Sequence, residues 1–311
     1  MEGVMRDGIQ HVIVLMLENR SFDQMLGDIP KVDGVNPKYR NVLNGDVYKQ
    51  NPEARNETKF DPKHLHPNVR FQIANSGANY LRDYWCEYEN GPRRRHQSSP
   101  RPNYGDIMDY FSHKSINRLN ALHTLATTFT VCDKWFSSVP GPTWPNRFFV
   151  HSGTSMGYVC MPESPWLWQH FHLYKYNQKT IYRQLTQANV SWKIYYHDVP
   201  QSLLLRDLRK SADRFEPIGA FFEDVAGNPD EFPQYSFIEP RYGYGVLGAA
   251  FAVTRPLMAW QFRNVTPDPT KQPNDDHPPH NVNEGQDLIT DIYHALIENE
   301  RLWASTLDCP L

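Results

Sequence analysis

The run His11-Val-Ile-Val-Leu-Met-Leu-Glu-Asn-Arg-Ser-Phe-Asp23 constrains this chain more than any other. Val12 to Leu17 is apolar without a break and rich in β-branched residues, which suits a strand buried on both faces. The period then changes. Phe22, Met25 and Leu26 are spaced i, i+3, i+4, and Ser21 and Asp23 stand where a helix opens. Glu18 and Asn19 therefore fall where a buried strand gives way to a helix, at the carboxyl edge of an α/β sheet, where ligands bind. A carboxylate there must be paired, hydrogen-bonded or bound to a metal.

Composition narrows the classes. The chain has 311 residues, 40% hydrophobic and 13% aromatic, enough for a substantial core and against wholesale disorder. A formal charge of −3 gives no basic field for nucleic acid. No run reaches the length of a membrane span. Residues 1–10 lack the apolar centre of a signal peptide, which predicts a cytoplasmic location. Cys86, Cys132, Cys160 and Cys309 are scattered without a CxxC pair, so reduced, mostly buried thiols are expected.

Further along, residues 28–51 are turn-rich, with Asp33-Gly34, Asn36-Pro37 and Asn44-Gly45-Asp46, and read as a long loop with a short hairpin somewhere in it. Residues 68–90 read as partly helical, with Phe71, Ile73, Tyr80, Leu81 and Tyr84 as core candidates, and 115–127 as a helix. Phe129–Phe136 reads as a short buried strand. A helix is predicted over Thr180–Ala188 and one or two over 201–223. Val190–His197 and Gln234–Glu239 alternate like strands and end on a histidine and a carboxylate. Asn283–Leu302 is an amphipathic helix. Strands alternating with helices predict an α/β fold: a mixed, mostly parallel central sheet with helices on both faces.

Four other stretches carry chemistry. Asp61-Pro62-Lys63-His64-Leu65-His66 places two histidines behind a turn, either surface residues or ligands. In Ser138-Val-Pro-Gly-Pro-Thr143-Trp-Pro-Asn-Arg-Phe-Phe-Val-His-Ser-Gly153, a rigid turn delivers Thr143 to a helix N-terminus, and Gly153 ends the helix. Free N–H groups there favour anions. Thr143 is then a simple cap or a nucleophile. Asp275-Asp276-His277-Pro-Pro-His280 is either a solvated acidic loop or a metal or phosphate site. The aromatic loop Trp166, Trp168, Phe171 and Tyr174 either packs in the core or cages a choline by cation–π contact. The basic run Pro92–His96 reads as a solvated loop.

Taken in order, these motifs resemble a bacterial phosphoesterase family that holds non-haemolytic phospholipases C and a respiratory-burst-inhibiting acid phosphatase. Glu18-Asn19-Arg20-Ser21-Phe22-Asp23 is similar to its signature and Asp61-Pro-Lys-His64 to its Asp-Pro-x-His. Gly141-Pro-Thr143-Trp-Pro-Asn146-Arg147 resembles its nucleophile turn. Asp276-His277-Pro-Pro and Gly285-Gln-x-Leu-Ile289 resemble its late part. The resemblance spans about residues 10–306 and implies an alkaline-phosphatase-like fold and metal-assisted phosphoryl transfer. It implies Glu18, Asn19 and Thr143 as metal ligands, and Asn19, His64 and Asn146 as phosphate contacts. Thr143 would be the nucleophile, and His64, His197 and His277 would contact phosphate or act as acid; His197 is placed by position rather than motif. It also implies a divalent cation (Ca, Mg, Mn or Zn) and a small phosphate ester or phospholipid headgroup as substrate. Family members are often exported.

One departure stands out. The family's strand after the last amphipathic helix reads like Thr-Leu-Leu-Ile-Ile-Thr-Tyr-Asp-Glu-His-Gly-Gly and carries further acidic ligands. Here Thr306-Leu307 is followed by Asp308-Cys-Pro-Leu311. The resemblance thus predicts a single domain over 1–311 missing its C-terminal strands, with 242–270 as a poorly matching insertion or irregular stretch. The alternative function is an inactive fragment that binds phosphorylated ligands.

Overall fold

The computed structural model describes residues 8–58, 61–90, 103–115, 119–161, 176–243 and 271–310. The predicted basic run 92–96, the aromatic loop at 166–174 and most of the irregular 242–270 stretch lie outside them.

The opening run folds as read. Strand β1 is His11–Leu15, and helix α1, Phe22–Leu26, is capped by the Ser21 side chain accepting from Gln24 N. A two-stranded antiparallel hairpin follows, β2 Arg40–Leu43 and β3 Asp46–Lys49. Asn44 and Gly45, both at positive φ, make its tight turn. Next come α2 His66–Ile73, α3 Tyr80–Asn90, α4 Asn120–Thr128, α5 Thr143–Ser152 and α6 Ile181–Gln187. Then β4 Trp192–Tyr196, β5 Phe215–Pro217, α7 Ile218–Ala226 and β6 Tyr235–Glu239 complete the middle of the chain. The last elements are α8 Val282–Glu298, α9 Glu300–Ser305 and β7 Thr306–Pro310.

The main sheet has the order β5-β4-β6-β1-β7, and every pairing in it is parallel. Among the described residues, the one antiparallel pair belongs to the separate hairpin. Thr306 to Pro310 pairs with His11 to Leu15, so a strand stands beside β1 where the resemblance predicts a missing one: the five residues after the last helix are enough to complete the parallel pairing.

Alternation along the strands explains the layering. Val14, Trp192, Ile194, Tyr196 and Phe237 face one side, against Trp144 and Phe148 of α5, Tyr182 of α6 and the short turns at Leu203–Leu208. Ile13, Leu15, Tyr195 and Ile238 face the other, against Phe221 and Val225 of α7, Leu288 to Leu296 of α8 and Leu302 of α9. Both faces are covered, so the strands read as near-continuous apolar runs. Burial of each such side chain is worth roughly 1.5–3 kcal/mol.

Four local expectations fail. Phe129–Phe136 forms no strand; the segment is a surface coil with Trp135 and Phe136 exposed. Its aromatic content mimics a strand, but the segment pairs with no strand of the described sheet. Phe71 and Ile73 of α2 are exposed rather than core. The last long helix breaks at Asn299, whose side chain caps α9 by accepting from Leu302 N. Cys132 and Cys160 are exposed, and Cys86 is half-buried.

Candidate active site

Because the sheet is parallel, β1, β4 and β6 end at one edge, and the chain places Glu18, His197 and Glu239 there. Glu18 is almost covered. Its Oε2 accepts from Arg147 Nε at 3.0 Å, and its Oε1 accepts from the Thr143 hydroxyl at 3.3 Å. Arg147 is buried, donates also to Met16 O, and stacks its guanidinium over the Tyr242 ring. Burial alone would weaken its protonation, but Tyr242, Glu18 and Glu239 outweigh that and hold it firmly charged.

Thr143 is the first residue of α5, as predicted, and Gly153 at φ 68° ends that helix. The N-cap Pro142 makes no side-chain cap bond, and the start of a helix favours an anion. Thr143 and Arg147 are four apart, one helical turn, so both reach Glu18 from the same face. Asn146 takes another path. Its Oδ1 accepts from Val139 N, and its Nδ2 faces the carbonyls of Val139, Gly141 and Pro142. It locks the turn rather than reaching towards a phosphate. His66 helps by donating from Nδ1 to Pro140 O.

A second group lies beside Asn19. Asp61, His64 and His277 offer ligand atoms that all lie within 4.8 Å of one another. The His64 and His277 rings meet edge to face, with centroids 5.1 Å apart. His277 Nδ1 bonds Pro278 O at 2.7 Å, leaving Nε2 to accept from Asn19 Nδ2 at 2.8 Å. His64 Nδ1 likewise bonds Pro62 O. A backbone carbonyl on one ring nitrogen is how metal-binding histidines are held; His277 Nε2 would have to exchange its Asn19 bond for an ion. Asp61 Oδ1 is buried without a hydrogen-bond partner, and His64 Nδ1 stands 3.6 Å from it. Burial opposes charge on His64, but pairing with Asp61, the Pro62 carbonyl and the Glu18 charge together raise its pKa. Two histidines and one carboxylate with an orphaned oxygen fit a divalent cation.

The late loop is sewn to the end of β1. Glu18 N donates to Asp275 O, and Arg20 donates to Asp276 O and His280 O. Of its four chemistry-bearing residues only His277 enters the cluster. Asp275 binds His280 and His277 N. Asp276 lies buried against α8, where any side chain at residue 285 would collide with it, so Gly285 is required. Burial first, and Asp275 with it, push Asp276 up to about 7 against the pull of Arg20.

His197 is not brought to either group. Its ring faces Glu239 O at 3.3 Å, and β6 separates its strand from β1, about 10 Å at ordinary strand spacing. Burial and Arg241 push it down to about 4, so it is neutral at neutral pH. Glu239 is structural: it accepts from Gln201 N, Ser202 N and Tyr242 Oη. The implied ligand set of Glu18, Asn19 and Thr143 is thus rearranged. Glu18 and Thr143 join each other and Arg147, whereas Asn19 joins the cluster. Asp61 and Arg147 lay inside quoted motifs without a role; the i, i+4 spacing to Thr143 was the available signal for Arg147.

A sequence model described as the phosphoesterase family matches residues 9–307. Non-specific phospholipase C4 of Arabidopsis thaliana is 29% identical over 96% of this chain and 53% of its own length. Non-specific phospholipase C6 of the same plant is 31% identical, over 96% and 52%. Phospholipase C B of Mycobacterium tuberculosis is 27% identical, over 96% and 57%. The chain spans about half the length of the curated relatives it matches.

Proposed function

This chain belongs to the phosphoesterase family, and from that premise we propose that it hydrolyses phosphate esters of the phospholipase C or acid phosphatase type through a phosphorylated Thr143. The observation that carries this is the Thr143 hydroxyl bonded to Glu18 at an uncapped helix N-terminus.

Thr143 Oγ1 attacks phosphorus as the bond to the leaving oxygen breaks, and its proton passes to Glu18 Oε1. Arg147 pairs with Glu18 Oε2 and aligns the carboxylate for that transfer. The Thr143 N–H at the start of α5 donates to a phosphoryl oxygen, where charge spreads in the transition state. The leaving alkoxide takes a proton from solvent. A water then attacks phospho-Thr143, giving its proton to solvent, while Glu18 returns its proton to Thr143 Oγ1. Asp61, His64 and His277, with the Asn19 amide alongside, would hold a divalent cation. When bound, that cation supplies positive charge against the phosphoryl oxygens.

The test is hydrolysis of p-nitrophenyl phosphate and p-nitrophenylphosphorylcholine with added Ca²⁺, Mn²⁺ or Zn²⁺. Thr143→Ala is expected to lose at least ~10³-fold in kcat, since covalent catalysis ends with the hydroxyl. Wild-type turnover that survives this substitution overturns the assignment. Binding of phosphorylcholine without turnover under any of these cations makes the chain a phosphate-ester binder instead.

A further inference from the structure

Helix α2 is joined to the site without an apolar anchor. None of its residues is buried, and Phe71 and Ile73 are exposed. Polar bonds hold it instead. At its start, His66 Nδ1 donates to Pro140 O in the turn that presents Thr143. Asn68 and Gln72, four apart and so on one helix face, both reach Asp83 of α3. Asn68 Nδ2 donates to Oδ1 at 3.0 Å, and Gln72 Nε2 to Oδ2 at 2.8 Å. Asp83 is only 6% exposed. Gln72 Nε2 has a second hydrogen, and it goes to Lys63 O at 2.6 Å. A carboxylate and a carbonyl both accept, so only the nitrogen end of the amide can face them, and both its hydrogens are used. Lys63 O belongs to the peptide that joins Lys63 to His64, inside the loop that carries Asp61 and His64.

We propose that Gln72 is a positioning residue for the cation cluster: oriented by Asp83, its amide fixes the Lys63–His64 peptide and with it the spacing of Asp61 and His64. Pro62 stiffens that loop from within, by its fixed φ and by taking His64 Nδ1 on its carbonyl. Gln72 ties the loop from outside, to a carboxylate on a different helix. The tie matters because the cluster is only partly satisfied. Asp61 Oδ1 is buried without a hydrogen bond, and His64 Nδ1 stands 3.6 Å from it. A cation gathers these groups, and a loop that drifts before binding loses more conformational freedom when the ion arrives. Gln72 itself touches Lys63 O and Asp83, neither of which belongs to the cluster, so it acts through the backbone alone. The inference rests on the reading of Asp61, His64 and His277 as a cation site and adds the element that sets its geometry.

The experiment is calorimetric titration of the full chain with Mn²⁺ and with Zn²⁺, beside urea denaturation of the same samples, for wild type, Gln72→Met, Gln72→Glu and Asn68→Leu. Gln72→Met and Asn68→Leu each remove one amide bond to Asp83 without changing charge, so they should move the urea midpoint alike. Only Gln72→Met also frees Lys63 O. It is expected to weaken cation binding about 10-fold, the low end for partners that orient metal ligands, while Asn68→Leu stays within about twofold of wild type. Gln72→Glu separates position from charge. An added acid near a cation would tighten it by Coulomb attraction. Here the acid faces Lys63 O and Asp83 and turns the loop away, so binding is expected to weaken. Unchanged cation binding by Gln72→Met overturns the proposal. So does an equal loss in Asn68→Leu, or tighter binding by Gln72→Glu. A wild type that binds neither cation removes the cluster reading and this inference together; hydrolysis of p-nitrophenyl phosphate by that same protein leaves the phosphoesterase reading in place.

Discussion

Two carboxylates of the site, Glu18 and Asp61, have opposite surroundings. Both Glu18 oxygens are taken, one by Arg147 and one by Thr143, under side chains that leave it 10% exposed. Asp61 keeps one buried oxygen with no hydrogen bond, beside two histidines whose other nitrogens are already tied to carbonyls. The first carboxylate is satisfied by the protein and so can orient a hydroxyl. The second is satisfied only in part, which is the state of a ligand set before its ion. The same residue chemistry thus gives a closed side that aligns and an open side that binds.

That contrast breaks first at Arg147. Arg147→Met leaves Glu18 charged, covered and unpaired, and is expected to lower unfolding stability by about 3–5 kcal/mol. Urea denaturation measures it, and a loss under ~1 kcal/mol would mean the closed side is not held by this pair.

The next effect depends on pH. His151 of α5 is buried with Nδ1 against Tyr182 Oη, and burial first, then the Arg147 charge, push its pKa down to about 3. Its folded value lies below the unfolded one near 6.5. It therefore contributes stability that is present above pH 6.5 and lost as pH falls towards 3. Asp198 works in the other direction. Burial raises it to about 7 although three N–H groups favour its charge, so its contribution is present at low pH and lost as pH rises through about 7. Comparing wild type with His151→Phe cancels Asp198. The melting temperature of the variant should fall less steeply between pH 6.5 and 3.5, and equal slopes would contradict a buried neutral His151.

The smallest stability change is expected on the open side. Asp61→Asn removes a charge that the protein leaves incompletely paired, and should shift unfolding by no more than about 1 kcal/mol. It should weaken Zn²⁺ or Mn²⁺ binding about 10–100-fold, as read by calorimetry. A large destabilisation with unchanged cation binding would invert the comparison.

Much of this was legible from local pattern. The apolar run of β1, the Ser21 cap, the Pro-Gly-Pro turn and the Gly153 stop are short-range devices, and each folds as read. The coil at 129–136 was misread because its aromatics, which look like strand, remain exposed on the surface. Glu18 meets Thr143 and Arg147 at separations of 125 and 129 residues, and His277 joins Asp61 and His64 from the far end of the chain, which no window sees; only the Asp61–His64 pair is local. His64 and His277 were named by motif, but their pairing needed the late loop sewn to Glu18 and Arg20. Asn146 and His66 look like site residues and are turn-makers, because a polar side chain beside a rigid turn satisfies its carbonyls first. Helix periodicity could have supplied Arg147, one turn after Thr143.

The most direct measurement is where the phosphoryl group goes. Wild-type protein turning over p-nitrophenylphosphorylcholine is quenched in acid, digested and read by mass spectrometry. A phosphoryl group is expected on Thr143, absent without substrate and less abundant in Glu18→Gln. Steady turnover with no phosphate on Thr143 would contradict it.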